Sequence, residues 1–214
     1  TIDLSYGAYN KIPKSFLNKI IRFETMLTAV QYFSWAKMGL PYMGVGRNLA
    51  YKKEEFFFFF GFISHIQVRS GDDDLFINQV ATSKNTALCY LPESFTYSEP
   101  KTKFKDWFTQ KRRHVSTAKL YKPFDKIQLV VFYVSQLLFF ILATVLLAFQ
   151  YQWIIVLGLV GFRYLFTWIT LGFSAGKLKE KDVMYWYPII EIILIFTQIN
   201  VFVTNIFSKP AHWK

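Results

Sequence analysis

The chain has 214 residues, of which 53% are hydrophobic and 20% aromatic, and its formal net charge is +11. This apolar fraction is too high for an ordinary soluble domain, and it favours a protein with membrane-embedded segments. Its one cysteine, Cys89, excludes an internal disulfide bond and a cysteine-based metal site.

A helix is predicted near the start of the chain. Residues 1–14 are polar and contain Gly7 and Pro13, which predicts an irregular lead-in. From Ser15 to Met38 the apolar residues recur every three or four positions, a spacing typical of an amphipathic helix, with Ser15 as a plausible N-cap. We expect this helix to pack on its own domain, although its basic residues would also suit a membrane surface.

A stretch with two glycines follows, Gly44-Val45-Gly46-Arg47-Asn48, ahead of Lys52-Lys53. Two glycines beside a short strand indicate a place where the backbone approaches another group closely. The stretch lacks the third glycine of a dinucleotide-binding fingerprint, which excludes that function. The phenylalanines of residues 56–60 form a run too short to span a bilayer, so we expect them in a core or on a face docked on the membrane.

Three adjacent carboxylates, Asp72, Asp73 and Asp74, follow Gly71 and precede a helix predicted to start at Leu75. Because neighbouring negative charges repel, their proximity needs a physical reason. One reason is a solvated turn or a helix start whose acids complement the helix dipole. The other is a catalytic carboxylate with supporting neighbours, and these residues alone leave both interpretations open.

Basic residues are concentrated in residues 101–126, which hold nine Lys or Arg against two acids. Within this segment Gln110, Arg113 and His114 are predicted to share one face of a helix. An amide and a guanidinium on one face would hold a phosphorylated ligand, because Arg presents a fork of donors to phosphate oxygens. The lysines are more typical of a juxtamembrane patch that attracts anionic headgroups. Nucleic-acid binding is disfavoured because membrane segments follow directly.

A long uncharged stretch begins directly after Lys126. The 36 residues from Ile127 to Phe162 contain no charged side chain, and that length fits two spanning helices joined by a tight turn. A third apolar segment follows a basic loop. The predicted transmembrane helices are about 127–149, 153–173 and 183–207, and residues 208–214 form a tail.

The basic residues also indicate how these helices are oriented. By the positive-inside rule, residues 101–126 and 176–181 are cytoplasmic, and the tail is outside if the third helix spans fully. Arg163 and Glu191 are ionisable groups within the apolar segments. Since such groups are costly in hydrocarbon, we expect them either to pair or snorkel, or to contact a ligand headgroup.

The order of these motifs resembles a known family. Gly71-Asp72-Asp73-Asp74, then Gln110-Lys111-Arg112-Arg113-His114, and then membrane helices resemble the C-terminal half of membrane-integrated family 2 glycosyltransferases, which include the hyaluronan and cellulose synthases. Residues 44–53 resemble the family's Gly-rich strand, which ends in two basic residues near the acceptor end of the site. The resemblance covers about residues 40–182 and depends on the ordered set of motifs.

The resemblance implies an α/β fold class followed by a transmembrane helical region. Residues 1–126 would be the cytoplasmic C-terminal part of a GT-A type glycosyltransferase domain, and residues 127–207 the three transmembrane helices. The whole would be an integral protein of a bacterial inner membrane.

The resemblance also implies an activity, the inverting transfer of a sugar from a nucleotide-sugar donor to a lipid-linked or glycan acceptor. Asp73 stands at the position of the family's catalytic base, which takes the proton of the acceptor hydroxyl, and Asp72 and Asp74 would raise its proton affinity. His114 stands where the family usually has Trp, a departure at the acceptor or donor site. The implied substrate-binding residues are Gln110, Arg112, Arg113, His114, Gly44, Gly46 and Asn48.

The family binds its donor and a divalent metal, Mg²⁺ or Mn²⁺, through an Asp-x-Asp motif in an N-terminal half that these 214 residues do not show. We therefore expect the chain to be a piece of a longer enzyme, with its metal ligands elsewhere and no turnover by itself. The competing hypothesis is a non-catalytic membrane subunit that docks a partner or anionic lipid through its basic segment. Only the enzyme hypothesis predicts that Asp73→Asn abolishes activity.

Overall fold

A computed structural model describes residues 1–68 and 70–208, which are mostly helical with a small amount of mixed sheet. The strands are β1 (Ile2–Ser5), β2 (Gly7–Tyr9), β3 (Leu49–Tyr51), β4 (Thr86–Cys89) and β5 (Thr96–Ser98). The helices are α1 (Phe16–Lys37), α2 (Lys53–Phe58), α3 (Asp74–Val80), α4 (Phe104–Thr117), α5 (Pro123–Ala148), α6 (Trp153–Lys177) and α7 (Tyr187–Phe207). We call residues 1–121 the head.

The head is organised around β1. This strand pairs antiparallel with β3 and parallel with β4, while β2 pairs in parallel with β5. The prediction of an irregular lead-in over residues 1–14 is therefore wrong. Ile2, Leu4, Tyr6 and Ala8 alternate along the chain and are all buried, and this period of two is the signal of a strand. A complete GT-A domain remains a prediction, because the described sheet is small.

Helix α1 confirms the predicted amphipathic helix and its cap. The Ser15 hydroxyl accepts a hydrogen bond from the backbone N–H of Asn18 at 3.2 Å, which satisfies one of the free donors of the first turn. The helix then crosses the ends of the apolar helices. Near its start Phe23 stacks on Tyr187 of α7 with ring centroids 5.7 Å apart, and near its end Trp35 packs against Phe124 of α5 at 6.2 Å.

A buried ion cluster fixes this crossing. Arg22 on α1 is 2% exposed. Its Nε donates to Glu180 at 2.9 Å and its Nη1 donates to Asp182 at 2.8 Å, so one guanidinium binds two carboxylates of the α6–α7 connection. The Tyr6 hydroxyl also donates to Glu180, at 3.2 Å. These bonds satisfy the charges and tie the head to the apolar helices.

In the described part of the chain, three helical segments are long and apolar enough to cross a membrane: Pro123–Ala148, Trp153–Lys177 and Lys181–Phe207. They agree with the three apolar helices predicted from the sequence. The first begins at Pro123 rather than near residue 127, because proline is favoured in the first turn of a helix, where its missing N–H costs nothing.

The phenylalanine run of residues 56–60 divides between two environments. Phe56 packs against Tyr51 and Phe76, with ring centroids 5.9 and 5.6 Å apart, so part of the run is core as one interpretation expected. Phe57 and Phe58 are 62% and 75% exposed. Their docking on a membrane remains a prediction.

Replacing Arg22 by Met is expected to lower the free energy of unfolding by about 3–5 kcal/mol, because two carboxylates lose their buried partner. The matched control is Lys11→Met, which removes the exposed ion pair of Lys11 with Asp182 and should cost at most about 1 kcal/mol. Denaturant titration of the purified protein in detergent measures both. Equal losses in the two variants would contradict a structural role for the buried cluster.

Candidate active site

A cleft of about 1110 Å³ runs from the head to the apolar helices. Asp73, Gln110 and His114 line it on the head side, and Thr167 and Gln198 line it on the side of α6 and α7. Residues of the two sequence motifs, which lie far apart along the chain, therefore face one space at the junction of the head with the helices.

The three adjacent carboxylates point into three different environments. Asp72 is exposed, Asp73 is half-buried and Asp74 is buried. The Asp73 Oδ2 accepts from the Gly46 amide at 2.5 Å, whereas the Asp74 Oδ2 accepts from the hydroxyls of Thr117 and Tyr121 at 2.8 and 2.6 Å. Because the three carboxylates point into different environments, the repulsion between their charges is limited. The arrangement also divides the cluster by its partners. Asp73 and Asp74 both line the cleft, but the Asp74 carboxylate is held by the hydroxyls of Thr117 and Tyr121, whereas Asp73 has only the Gly46 amide among the described contacts.

Burial raises the pKa of Asp74, and the hydrogen bonds from Tyr121 and Thr117 oppose that shift. Gly71 allows this arrangement. Its φ is +90°, and a Cβ on it would lie 2.7 Å from Asp74 Oδ1 and 2.8 Å from Thr117 Cγ2. Only glycine fits this conformation and this space without strain.

The glycine-containing stretch lies directly against the acids. Gly44 lines the cleft, and the Gly46 amide holds the Asp73 carboxylate. The side chain of Asn48 makes its hydrogen bonds within the head. Its side-chain amide donates to the carbonyls of Tyr6 and Ser94 at 2.9 and 2.7 Å. Asn48 therefore holds this stretch onto the head, and its predicted contact with substrate has no support from this geometry.

Helix α4 presents two of its four predicted binding residues to the cleft. Gln110 and His114 line it, together with Lys111. Arg113 is not among the described residues that line the cleft. At 3.6 residues per turn, Arg113 lies about 60° from Gln110 on the side away from His114. The predicted common face thus holds for Gln110 and His114 and does not extend to Arg113.

Arg112 faces α7 rather than the cleft. Its Nε donates to the Asn205 side chain at 2.9 Å, and its Nη2 donates to the Ser208 carbonyl at 2.7 Å. In return the Asn205 amide donates to the Arg112 carbonyl at 3.1 Å. These bonds give Arg112 a structural task and leave its predicted substrate contact without support.

Two cleft residues were not predicted from the sequence as part of the site. The Arg47 guanidinium lies 4.0 Å from the centroid of the Tyr9 ring and donates to the Ala8 carbonyl at 2.9 Å. Gln110 donates to the Tyr9 hydroxyl at 3.4 Å. Arg47 belongs to the glycine-containing stretch of residues 44–48, and its place beside Gly46 could have indicated that it lies at the site. Tyr9 was missed because its strand was interpreted as a lead-in.

His114 is exposed to the cleft but surrounded by protein and by positive charge. Desolvation by the surrounding protein, with the charges of Lys111, Arg113 and Arg47, lowers its pKa below the usual 6.5. The imidazole is therefore neutral near pH 7. A neutral ring offers one donor and one acceptor to a ligand and adds no charge.

The ionisable groups of the apolar helices meet at the other end of the cleft. Arg163 and Glu191 form an ion pair with two hydrogen bonds, and both line the cleft. The Arg163 guanidinium also lies 4.9 Å from the ring centroids of Phe139 and Phe140. The structure thus confirms the pairing that was one of two alternatives, and contact with a headgroup remains a prediction.

Within residues 1–68 and 70–208, no group of three or more His, Cys, Asp or Glu side chains could hold a metal ion. The described residues therefore offer no such metal site. That the enzyme binds Mg²⁺ or Mn²⁺ through ligands outside this chain stays a prediction.

A scan against models of protein families gave no match, and searches of curated proteins and of solved structures gave none either. Inference about function therefore depends on the geometry of the cleft and on the chemistry of its residues.

The low pKa of His114 predicts an acid-dependent loss of stability. Because the pKa of His114 is lower in the folded than in the unfolded chain, the unfolded chain binds this proton first as the pH falls below about 6.5, and stability decreases with the pH there. His114→Gln removes the contribution. We expect the melting temperature of this variant to fall less between pH 7 and pH 5 than that of the parent protein. Parallel declines in the two proteins would contradict the low pKa.

Proposed function

We propose that this chain carries the catalytic base and part of the leaving-group site of an inverting, membrane-bound glycosyltransferase of the family 2 type. The observation that supports the proposal most is the shared cleft of Asp73 and Gln110. The two motifs that carry the resemblance are separated in sequence, and a chance similarity gives no reason for them to meet.

The proposed base is Asp73. Its Oδ2 is held by the Gly46 amide, which orients the carboxylate and leaves Oδ1 to accept a proton. Oδ1 takes the proton from the acceptor hydroxyl while the hydroxyl oxygen forms a bond to the anomeric carbon of the donor sugar. The bond between that carbon and the diphosphate oxygen breaks, and its electron pair leaves with the nucleoside diphosphate. Attack opposite the leaving group inverts the anomeric centre.

The leaving group gains negative charge, and the cleft offers positive charge to it. Arg47 is the cation best placed for this task, because it lines the cleft beside Tyr9 and Gln110. Lys111 also lines the cleft but is paired with Glu24. Fixed cations and amide donors aimed at a developing anion are a large source of rate enhancement. We therefore assign to Arg47 the role that the sequence assigned to Arg113.

The other end of the cleft favours a lipid-linked acceptor. Apolar side chains of α5 and α7, among them Leu129, Leu194 and Phe202, line it next to the polar groups. A lipid anchor would occupy this part while its hydroxyl-bearing head reached Asp73. The nucleotide-sugar donor and the divalent metal would be bound chiefly by residues outside this chain.

The competing proposal is a non-catalytic membrane subunit with a basic docking segment. Lys101, Lys103 and Lys105 are all exposed and would be available to an anionic partner or lipid surface. This proposal gives no role to the Asp73 carboxylate, so it predicts that neutralising Asp73 has no effect on function.

The decisive variant is Asp73→Asn in the full-length gene product. Loss of a general base should lower the rate of sugar transfer by about 10²–10⁴-fold. Asp106→Asn is the matched control, because Asp106 is exposed and is not among the described residues that line the cleft, and it should retain most of the activity. Transfer of radiolabelled sugar from nucleotide donors by isolated membranes measures both. Full activity of folded Asp73→Asn would refute the proposal.

A second variant tests the position of the base while leaving its carboxylate in place. A Cβ at Gly46 would lie 2.9 Å from Asp73 Oδ2 and 3.0 Å from Asp73 Cβ, so Gly46→Ala must displace Asp73. We expect a clear fall in activity, up to the roughly 10²-fold loss that a 1 Å misplacement of a reacting group causes. Gly161→Ala is the control, since nothing lies within 4 Å of the added atom. Similar activity of the two variants would show that the Gly46 contact does not position the base.

A further inference from the structure

Both ends of α7 contact the head. At its start Tyr187 stacks on Phe23 of α1, with ring centroids 5.7 Å apart. At its end Asn205 exchanges two hydrogen bonds with Arg112 of α4, at 2.9 and 3.1 Å, and the Ser208 carbonyl accepts from the same arginine. Since α1 and α4 belong to the head, both termini of this apolar helix lie at the head.

The length of α7 makes this arrangement informative. Its 21 residues extend over about 31 Å, close to the thickness of the hydrocarbon core. A helix that crossed the bilayer from Tyr187 would place Asn205 near the opposite surface. The head cannot reach that surface, so contact of Arg112 with Asn205 is incompatible with a perpendicular crossing.

Contacts with α5 and α6 show where α7 crosses these helices, and two of them are made by a tyrosine and a tryptophan. Tyr133 on α5 donates to the Ile195 carbonyl at 3.2 Å and packs its ring 5.6 Å from that of Phe202. One α5 residue thus meets two α7 residues that are two turns apart. Trp168 on α6 donates to the Met184 carbonyl at 3.3 Å, just before α7 begins. Tyr and Trp are enriched at membrane–water interfaces.

The two faces of α7 differ in polarity. Glu191, Gln198 and Asn205 recur every seven residues, and all three line the cleft. On the opposite face Ile189, Phe196 and Val203 recur with the same spacing and are exposed. The polar face of α7 is therefore turned to the cleft, and its apolar face is turned away from the protein, where it can contact acyl chains.

We propose that α7 lies in the plane of the leaflet next to the head and forms the wall between the cleft and that leaflet. Its outer face of Ile189, Phe196 and Val203 contacts acyl chains, continuing the lipid contact of α5 and α6. The chain beyond Ser208 then emerges on the head side, whereas full spanning would place the tail outside. Residues 209–214 lie outside the described residues, but their Lys209 and Lys214 agree with the positive-inside rule.

The side of the tail is tested with single cysteines in the full-length protein, after Cys89 and every cysteine outside these 214 residues have been replaced by serine. Lys214→Cys should react with a membrane-impermeant maleimide from the same side as Lys105→Cys in the head. Gln150→Cys, in the turn between α5 and α6, should react only from the other side. Reaction of Lys214→Cys together with Gln150→Cys would overturn the proposal.

The depth of α7 gives an independent measurement. An environment-sensitive fluorophore on Phe196→Cys should be quenched more by spin labels near the headgroups than by spin labels near the bilayer centre. The control is Ile141→Cys in α5, which should show the reverse order. Equal preference of both positions for the deep quencher would overturn the proposal. Neither measurement requires sugar transfer, so failure here would leave the proposed activity untouched.

Discussion

The arrangement of the site depends on one buried carboxylate. Asp74 accepts hydrogen bonds from Thr117 at the end of α4 and from Tyr121 in the connection to α5. A buried carboxylate without such donors would be strongly unfavourable, so these bonds hold the start of α3 against the end of α4. Asp73 is thereby placed at the cleft that α4 lines. Adjacent residues of the acidic cluster thus differ in role: Asp74 is a structural anchor, and Asp73 is the proposed base.

A second interaction fixes the position of the head relative to the apolar helices. Arg22 binds both carboxylates of the α6–α7 connection while α1 crosses from α7 to α5. With α1 fixed in this way, the cleft has a polar end in the head and a largely apolar end among the helices. The proposed reaction, between a water-soluble donor and a membrane-bound acceptor, would need such a site, because its two substrates would arrive from different solvents.

Charge within the cleft is arranged so that positive groups surround a neutral imidazole. Arg47, Lys111 and Arg113 disfavour protonation of His114, so the ring does not add to the cationic charge near pH 7. Glu24 neutralises Lys111, which leaves Arg47 as the cation beside Tyr9 and Gln110. A diphosphate leaving group would thus meet its positive charge on the glycine-containing stretch, directly beside the proposed base.

The sequence by itself determined the long apolar helices, the capped helix α1 and the two motifs, because these depend on local periodicity and residue chemistry. It left the pairing of Arg163 with Glu191 as one of two alternatives, and the structure decided between them in favour of the pair. The sequence did not decide that Arg112 and Asn48 are structural, that Arg47 and Tyr9 face the cleft, or where α7 lies. These positions depend on which face of each element contacts its neighbours. Packing between segments that are far apart in the sequence determines those contacts. Hydrophobicity showed that α7 prefers lipid, but only its contacts with Phe23 and Arg112 show how it meets the head.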